Sequence, residues 1–176
     1  MKNQTNCLFL IGMPGSGKST IGKGLAKALG RPFIDLDHEI EARCGVAIPV
    51  IFEIEGEPGF RKRESQVLEE VAQQPDVVIA TGGGAVLAES NREILSQHGV
   101  VIYLKASVEE LVRRTSRDRN RPLLATNDPK TRLYELLDER SPIYDSLADI
   151  VVETGSASVP SVVQQIVTRL KDTENT

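Results

Sequence analysis

Cysteine and histidine are scarce in this sequence, and their scarcity limits the chemistry that the chain can perform. Two cysteines and two histidines occur among 176 residues. Cys7 and Cys44 do not form a CxxC pair, and His38 and His98 stand alone, so no zinc-ligand spacing is present. We expect both cysteines to be buried or partly buried thiols in a reducing compartment. The sequence therefore predicts no redox chemistry, no zinc site and no catalytic triad.

Long hydrophobic runs are also absent. The apolar segments have the length of strands, far short of the ~20 residues that span a bilayer, and residues 1–6 show no apolar signal core behind them. We therefore expect a cytoplasmic protein with no membrane partner. The formal net charge of −4 and the pI near 5.3 argue against nucleic acid as a partner.

Strand-like and helix-like segments alternate along nearly the whole chain. The strand candidates are short, apolar and rich in β-branched residues, as strands buried on both faces should be. They are Cys7–Ile11, 32–35, 77–80, 100–104 and Ile150–Glu153. Capping patterns at Ser107 and Asp128 begin two of the helices between them. The alternation predicts one α/β domain over residues 1–176, with a parallel sheet between layers of helices.

Residues 12–19, GMPGSGKS, match the pattern GxxxxGK[ST] directly between a predicted strand and a predicted helix. Glycines allow backbone N–H groups to turn toward phosphate oxygens, and the helix N-terminus adds partial positive charge. In such a loop Lys18 reaches the β- and γ-phosphates and the Ser19 hydroxyl can bind Mg²⁺. A P-loop alone fits a kinase, a GTPase, a motor or a binding module. The lack of an NKxD motif and the small size favour phosphoryl transfer to a small acceptor.

The second predicted strand ends in Asp35-Leu36-Asp37, at the sheet edge where ligands of α/β proteins bind. If the chain stays extended there, both carboxylates lie on one side, one for a metal through water and one for an acceptor hydroxyl. The alternative is that Asp37 is an ordinary helix N-cap. The third strand ends in Gly82-Gly83-Gly84, and the third glycine suggests that a ligand approaches the backbone. That strand lacks a terminal aspartate, which leaves Asp35 as the better candidate for magnesium.

Arginines are gathered in one region of an acidic chain, which suggests that a small anion binds there. Arg113, Arg114, Arg117, Arg119 and Arg121 lie within nine residues. The alternative is a solvated helix face and loop. Residues 115–128 are long enough for a lid, from which Arg121 would reach the transferring phosphoryl group while Arg114 would lie against the nucleotide base.

Two further arginines stand outside this cluster. Arg61 and Arg140 fit either surface ion pairs with glutamates or a clamp for a carboxylate or phosphate. Their spacing does not distinguish these possibilities.

Taken together, these segments resemble the shikimate kinase family along nearly the whole chain. The motifs that carry the resemblance are GMPGSGKST (12–20), FIDLDHEIE (33–41), IFEIEGEPGFRKRE (51–64), ATGGG (80–84), RPLLA (121–125) and ERSPIY (139–144). The resemblance implies a nucleoside-monophosphate-kinase-like fold with a five-stranded parallel sheet and a mobile lid. It also implies transfer of the ATP γ-phosphoryl group to the 3-hydroxyl of shikimate, on the path to aromatic amino acids.

The resemblance also implies roles for individual residues. For ATP they are Gly15, Ser16, Gly17, Lys18, Ser19, Thr20 and the lid residue Arg121. The resemblance does not fix a second ATP-binding arginine, for which the arginine cluster offers Arg114. Mg²⁺ is bound by Ser19 and, through water, by Asp35. Shikimate is bound by Asp37, Arg61, Gly83 and Arg140, with Asp37 also the expected base, and helices over about 37–64 surround it. Lys18, Asp37 and Arg121 are the expected catalytic residues, and the resemblance implies a monomer.

Three alternatives stay open from the sequence. A kinase for another small anion, such as a sugar acid, could share the phosphate loop and the arginines. A nucleoside monophosphate kinase is disfavoured because that likeness is confined to the P-loop and the fold. An ATP-binding regulatory module with a decayed acceptor site is disfavoured by the intact set of Asp37, Arg61, Gly83 and Arg140. Pro49, which must lie near a helix start, departs from the commonest family pattern.

Overall fold

The computed structural model describes residues 5–116 and 128–174. Within these residues five strands form one sheet, and the strands predicted from the sequence are confirmed, with ends that differ by one residue at most. They are β1 (Cys7–Ile11), β2 (Phe33–Asp35), β3 (Val78–Ala80), β4 (Gly99–Lys105) and β5 (Ile150–Glu153).

Seven α-helices of the described residues connect and cover the strands. They are α1 (Lys18–Leu29), α2 (Leu36–Cys44), α3 (Ile48–Val71), α4 (Glu89–His98), α5 (Val108–Thr115), α6 (Pro129–Leu147) and α7 (Val159–Glu174), with a 3₁₀ turn at Ala85–Leu87. The predicted caps are confirmed: the side chains of Ser107 and Asp128 accept hydrogen bonds from the backbone N–H groups of Glu110 and Thr131. Pro49 lies in the first turn of α3, where its missing N–H costs nothing.

The sheet is parallel, with the order β2-β3-β1-β4-β5. Phe9 of the central strand β1 is paired with Ile79 on one side and Val101 on the other. A parallel neighbour on each side requires crossovers through helices, which accounts for the helical layers on both faces. The carboxyl ends of β1, β2 and β3 thereby meet at one edge, which is where the candidate site lies.

Alternate side chains of β1 enter two separate apolar cores. Phe9 packs in the core formed with α2 to α6, whereas Leu8 and Leu10 pack in the core formed with α1 and α7. Each is nearly or fully buried, and such burial stabilises the fold by roughly 1.5–3 kcal/mol per large apolar side chain. The two-sided burial explains why β1 is uninterrupted by polar residues.

Helix α3 is broken at Gly56, whose φ of 71° and ψ of 179° lie outside the helical region. Pro58 follows two residues later and has no N–H to continue the ladder. The helix resumes directly after Gly56 and carries Arg61 toward the sheet edge. None of the helices among the described residues combines the length and the apolarity needed to cross a membrane. The predicted lid over 115–128 falls almost entirely outside the described residues, and so does Arg121.

Candidate active site

The loop between β1 and α1 has the geometry of a phosphate cradle. Gly12, Gly15 and Gly17 have φ values of 150°, 86° and 97°, which other residues rarely adopt. Helix α1 begins at Lys18, so its N-terminal N–H groups face the loop. The Lys18 Nζ atom donates hydrogen bonds to the carbonyl oxygens of Gly12 and Met13, at 2.7 and 3.0 Å. This arrangement places an ammonium group and helix N–H groups around one space suited to an anion.

The carboxylate of Asp35 links the P-loop to the second strand. The Ser19 hydroxyl donates a hydrogen bond to Asp35, and Asp35 also accepts one from the backbone N–H of His38, at 3.1 Å. A hydroxyl beside a carboxylate is the kind of oxygen donor set that Mg²⁺ prefers. These two residues therefore fit a magnesium ion that is bound partly through water.

The chain does not stay extended from Asp35 to Asp37, so the condition that would place both carboxylates on one side of a strand is not met. Helix α2 begins at Leu36, and Asp35, not Asp37, is its N-cap. Asp37 lies in the first turn of the helix, where a negative charge is favourable near the positive end of the dipole. The helix turn separates the two carboxylates in direction, yet both still line the same cavity.

One cavity of about 500 Å³ brings most of the predicted ATP and metal residues together. It is lined by Gly15, Gly17, Lys18, Ser19, Thr20, Asp35, Asp37 and Arg114. Ser16 is fully buried, with its Oγ against Gly12. Thr81, at the end of β3, also lines the cavity, and its hydroxyl donates to the carbonyl oxygen of Leu10 at 2.8 Å.

Each of the three successive glycines after β3 has side chains of the protein itself close to its Cβ position. A Cβ on Gly82 would lie 2.8 Å from Asp37 Oδ1 and 3.0 Å from Glu64 Oε2, and one on Gly83 would lie 2.8 Å from Pro14 Cδ. A Cβ on Gly84 would lie 2.2 Å from Nη2 of Arg61. The atoms nearest to a Cβ on Gly84 belong to the flexible end of Arg61, which can shift, so the suggestion that a ligand approaches the third glycine stays a prediction. The glycines allow Asp37, Arg61 and their neighbours to pack directly against the backbone.

Arg61 is both an ion-pair partner of glutamates and a component of the site. Its Nη1 atom donates to both carboxylate oxygens of Glu64, at 3.0 and 3.2 Å, and its Nη2 lies 3.4 Å from Glu57. Glu64 is fully buried, whereas a fifth of the Arg61 side chain is exposed. Burial raises the pKa of Glu64 to about 7, Arg61 and Arg140 oppose that rise, and the nearby Asp37 adds to it.

Arg140 approaches the same glycines from α6. It is 2% exposed, and its Nη1 lies 3.2 Å from the position of a Cβ on Gly83. Its Nε makes no hydrogen bond with the described residues. One turn further along α6, the Tyr144 hydroxyl donates to the carbonyl oxygen of Gly83 at 2.5 Å. Burial raises the pKa of this phenol above its usual range, so the hydroxyl remains a donor. Arg140 is thus a buried cation with unused donor capacity beside Gly83.

Arg114 contacts the P-loop from α5. Its guanidinium donates to Glu110 at 3.0 Å, to the carbonyl oxygen of Gly15 at 3.2 Å and to that of Gly155 at 2.9 Å. It also lines a second cavity of about 220 Å³ between the P-loop and the start of α7, together with Thr20 and Thr154. Arg114 therefore connects the loop that follows β5 to the phosphate cradle.

Glu64 and Tyr144 are among the residues of this site that carry no assignment from the sequence. Glu64 lies on the buried face of α3, between Phe60 and Val67. A carboxylate rarely occupies a buried position. The helical spacing of the apolar residues could therefore have marked Glu64 as unusual. Its position three residues after Arg61 also suggests a pair on one helix face. Tyr144 lies within the quoted ERSPIY segment, and only its contact with Gly83 reveals its part in the site.

A phosphate cradle beside a magnesium donor pair, opening toward a carboxylate and two arginines, is suited to moving a phosphoryl group onto a small anionic acceptor. Fold and site together define a small-molecule kinase of the P-loop class. Comparison with known proteins narrows this class. The family model for shikimate kinase matches residues 14–171, and the chain belongs to the shikimate kinase family.

Curated relatives and solved structures agree with this membership. The shikimate kinase of Bordetella avium (strain 197N) is 61% identical over 164 residues, 93% of this chain and 78% of that protein. The shikimate kinase of Chromobacterium violaceum is 49% identical over 98% of this chain and 94% of that protein. The structure of shikimate kinase from Acinetobacter baumannii in complex with shikimate has a TM-score of 0.94 and 44% identity, covering 97% of this chain and 96% of that one. A gluconokinase from Sinorhizobium meliloti, at 18% identity and a TM-score of 0.61, shares the fold.

Proposed function

We propose that this protein is a kinase that transfers the γ-phosphoryl group of ATP to the 3-hydroxyl of shikimate. The observation that carries the proposal is the pair of arginines, Arg61 and Arg140, packed against Gly83 and Gly84 next to Asp37. Two guanidinium groups withdrawn from water attract a carboxylate more strongly than exposed ones would. An acceptor with one carboxylate and neighbouring hydroxyls fits this arrangement, and membership of the shikimate kinase family supports shikimate as that acceptor.

ATP is assigned to the larger cavity. Its phosphates lie against residues 15–20, where Lys18 exchanges the carbonyl oxygens that it now contacts for oxygens of the β- and γ-phosphates. The base is assigned to the adjoining 220 Å³ cavity, where the Arg114 guanidinium offers a flat cationic surface. Ser19 and Asp35 are the residues that would bind Mg²⁺, which neutralises phosphate charge when bound.

Asp37 is the residue assigned to the reacting hydroxyl. It lines the ATP cavity and also approaches Gly82, so it lies between the phosphate cradle and the arginines. There it can accept the hydrogen bond of the 3-hydroxyl and orient that oxygen for in-line attack. Because the transition state is loose, orientation and charge neutralisation contribute more than removal of the proton. Arg61, Gly83 and Arg140 fix the acceptor through its carboxylate and ring.

The family resemblance assigns Arg121 to the γ-phosphate, and this assignment stays a prediction because Arg121 lies outside the described residues. A monomeric enzyme is part of the proposal, and it rests on the family resemblance. Consumption of ATP and of a soluble metabolite supports a cytoplasmic location.

The test is ADP release by the purified protein with Mg-ATP, measured with shikimate, with a panel of sugar acids and with nucleoside monophosphates. We expect release that depends on shikimate. ADP release only with another acceptor would still support a kinase, but it would refute shikimate as the acceptor. ATP binding without release with any acceptor would point to a regulatory module instead.

A further inference from the structure

Glu64 is a buried carboxyl group that the proposed phosphoryl transfer does not use. It lies on α3 and is fully buried, with Arg61 on its own helix, Asp37 on α2 and Arg140 on α6 as the charged groups that face it. Asp37 Oδ1 and Glu64 Oε2 both approach Gly82, at 2.8 and 3.0 Å from the position of its Cβ. Two carboxyl groups and two guanidinium groups thus share one region that water reaches poorly.

The charges of this group balance only while no ligand is bound. With Asp37 and Glu64 both ionised, two negative charges face the positive charges of Arg61 and Arg140. A bound carboxylate adds a third negative charge and competes with Glu64 for the donors of Arg61. Excess negative charge in a weakly polar region is costly, and a carboxyl group relieves it by taking up a proton.

We propose that binding of shikimate is coupled to the uptake of one proton by Glu64, which changes from carboxylate to carboxylic acid. This inference rests on the proposed function, because it assumes that the anionic acceptor binds at Arg61 and Arg140. The proton comes from the solvent buffer. Arginine stays charged at all relevant pH values, and the carboxylic acid of the ligand is ionised well below neutrality. Asp37 is the rival acceptor of the proton.

Burial already raises the pKa of Glu64 to about 7 without a ligand, so the group is near half protonation at neutral pH. A ligand carboxylate raises that pKa further, because it adds a like charge and shares Arg61. Near pH 7 the expected uptake is about half a proton per ligand, and it approaches one as the pH rises above that value. Over the same range the affinity for shikimate falls by up to about tenfold per pH unit.

The direct test is titration calorimetry of the full chain with shikimate at one pH, in several buffers that differ in ionisation enthalpy. If protons are taken up, the observed binding enthalpy increases with the ionisation enthalpy of the buffer, and the slope is the number of protons. We expect a positive slope for the wild-type protein near pH 8. A slope of zero would overturn the inference while leaving the kinase assignment intact, whereas no binding of shikimate in any buffer would overturn the proposed function as well.

Three variants assign the proton to a residue. Glu64→Gln keeps the shape and the acceptor oxygen but cannot titrate, so it should lose both the buffer dependence and the fall in affinity with pH. Glu57→Gln is the matched control, since Glu57 also pairs with Arg61 but is exposed, at 44% of its side chain; it should keep both. Asp37→Asn removes one of the negative charges that raise the pKa of Glu64, so we expect a smaller positive slope than in the wild type, because the ligand carboxylate still competes with Glu64 for Arg61.

The outcomes separate a titrating role from a structural one. A Glu64→Gln protein that binds more weakly but keeps the wild-type pH dependence would show that Glu64 only positions Arg61. If Asp37→Asn loses proton uptake while Glu64→Gln retains it, the group that takes up the proton is Asp37 and not Glu64. If Glu64→Gln does not fold, the wild-type slope still decides: a slope of zero refutes the inference, and a positive slope that Asp37→Asn retains excludes Asp37 as the group that takes up the proton.

Discussion

Replacing Gly84 by alanine tests whether the position of the Arg61 guanidinium determines binding of the acceptor. The backbone of Gly84, with φ −97° and ψ 5°, is open to alanine. The added Cβ would however lie 2.2 Å from Nη2, 2.5 Å from Cζ and 2.7 Å from Nη1 of Arg61. These contacts are too short to persist, so the flexible arginine has to move. The perturbation therefore displaces one guanidinium without removing it.

The magnitude follows from the contacts that Arg61 makes. Displacement of the guanidinium weakens its paired hydrogen bonds to Glu64 and misaligns its donors toward the ligand carboxylate. Charge-assisted hydrogen bonds contribute roughly 1.5–3 kcal/mol each. Loss of one such contact corresponds to about a 10- to 100-fold increase in the KM for shikimate, while the KM for ATP stays within about twofold.

The assay is steady-state ADP release with each substrate varied in turn, beside thermal unfolding of the same proteins. Gly45→Ala is the control: Gly45 has a φ of 75° and no atom within 4 Å of its Cβ position, so alanine there strains the backbone without touching the site. That variant should lose stability, on the order of 1 kcal/mol, and keep its KM values. A folded Gly84→Ala protein with an unchanged KM for shikimate would refute the role given to Arg61.

Three further predictions follow from the site. Lys18→Ala should abolish turnover, because it removes the cation that we propose contacts the β- and γ-phosphates; residual ADP release above a few per cent would contradict this. Asp37→Asn should lower kcat with ATP binding intact by calorimetry, and an unchanged kcat would remove Asp37 from the reaction. Because the folded-state pKa of Glu64 is raised from 4.5 to about 7, its contribution to the free energy of unfolding is present at low pH and is lost as the pH rises through 7. Relative to Glu64→Gln, the wild-type protein should lose about 2 kcal/mol between about pH 5.5 and 8 in urea titrations, and a constant difference would contradict the shift.

Features that depend on neighbours in the sequence were predictable from the sequence alone. The P-loop consists of consecutive residues between β1 and α1, and its glycines have the backbone angles that such a loop requires. The caps at Ser107 and Asp128 are contacts over three residues. The strands were recognised because burial on both faces leaves a continuous apolar run.

The local structure at Asp35 and Asp37 was left open by the sequence, because two local structures compete there. Both aspartates suit a helix N-cap, and the sequence does not show where a strand ends and a helix begins. In the structure α2 begins immediately after β2, so Asp35 becomes the cap and Asp37 lies in the first turn.

The acceptor side of the site was decided by tertiary structure, because its contacts join residues far apart in the chain. Gly84 packs on Arg61, and Gly83 lies beside Arg140. Spacing along the chain therefore shows neither the role of the glycines nor whether the arginines form surface ion pairs or bind an anion. The raised pKa of Glu64 arises chiefly from its burial, with a smaller contribution from Asp37 on α2, and the arginines of α3 and α6 oppose it. The sequence by itself determined a phosphate loop and an α/β fold, since local order encodes both. Only the tertiary structure determined which charged side chains share a region shielded from water. That matters because the interaction energy between two charges depends on how polar their surroundings are.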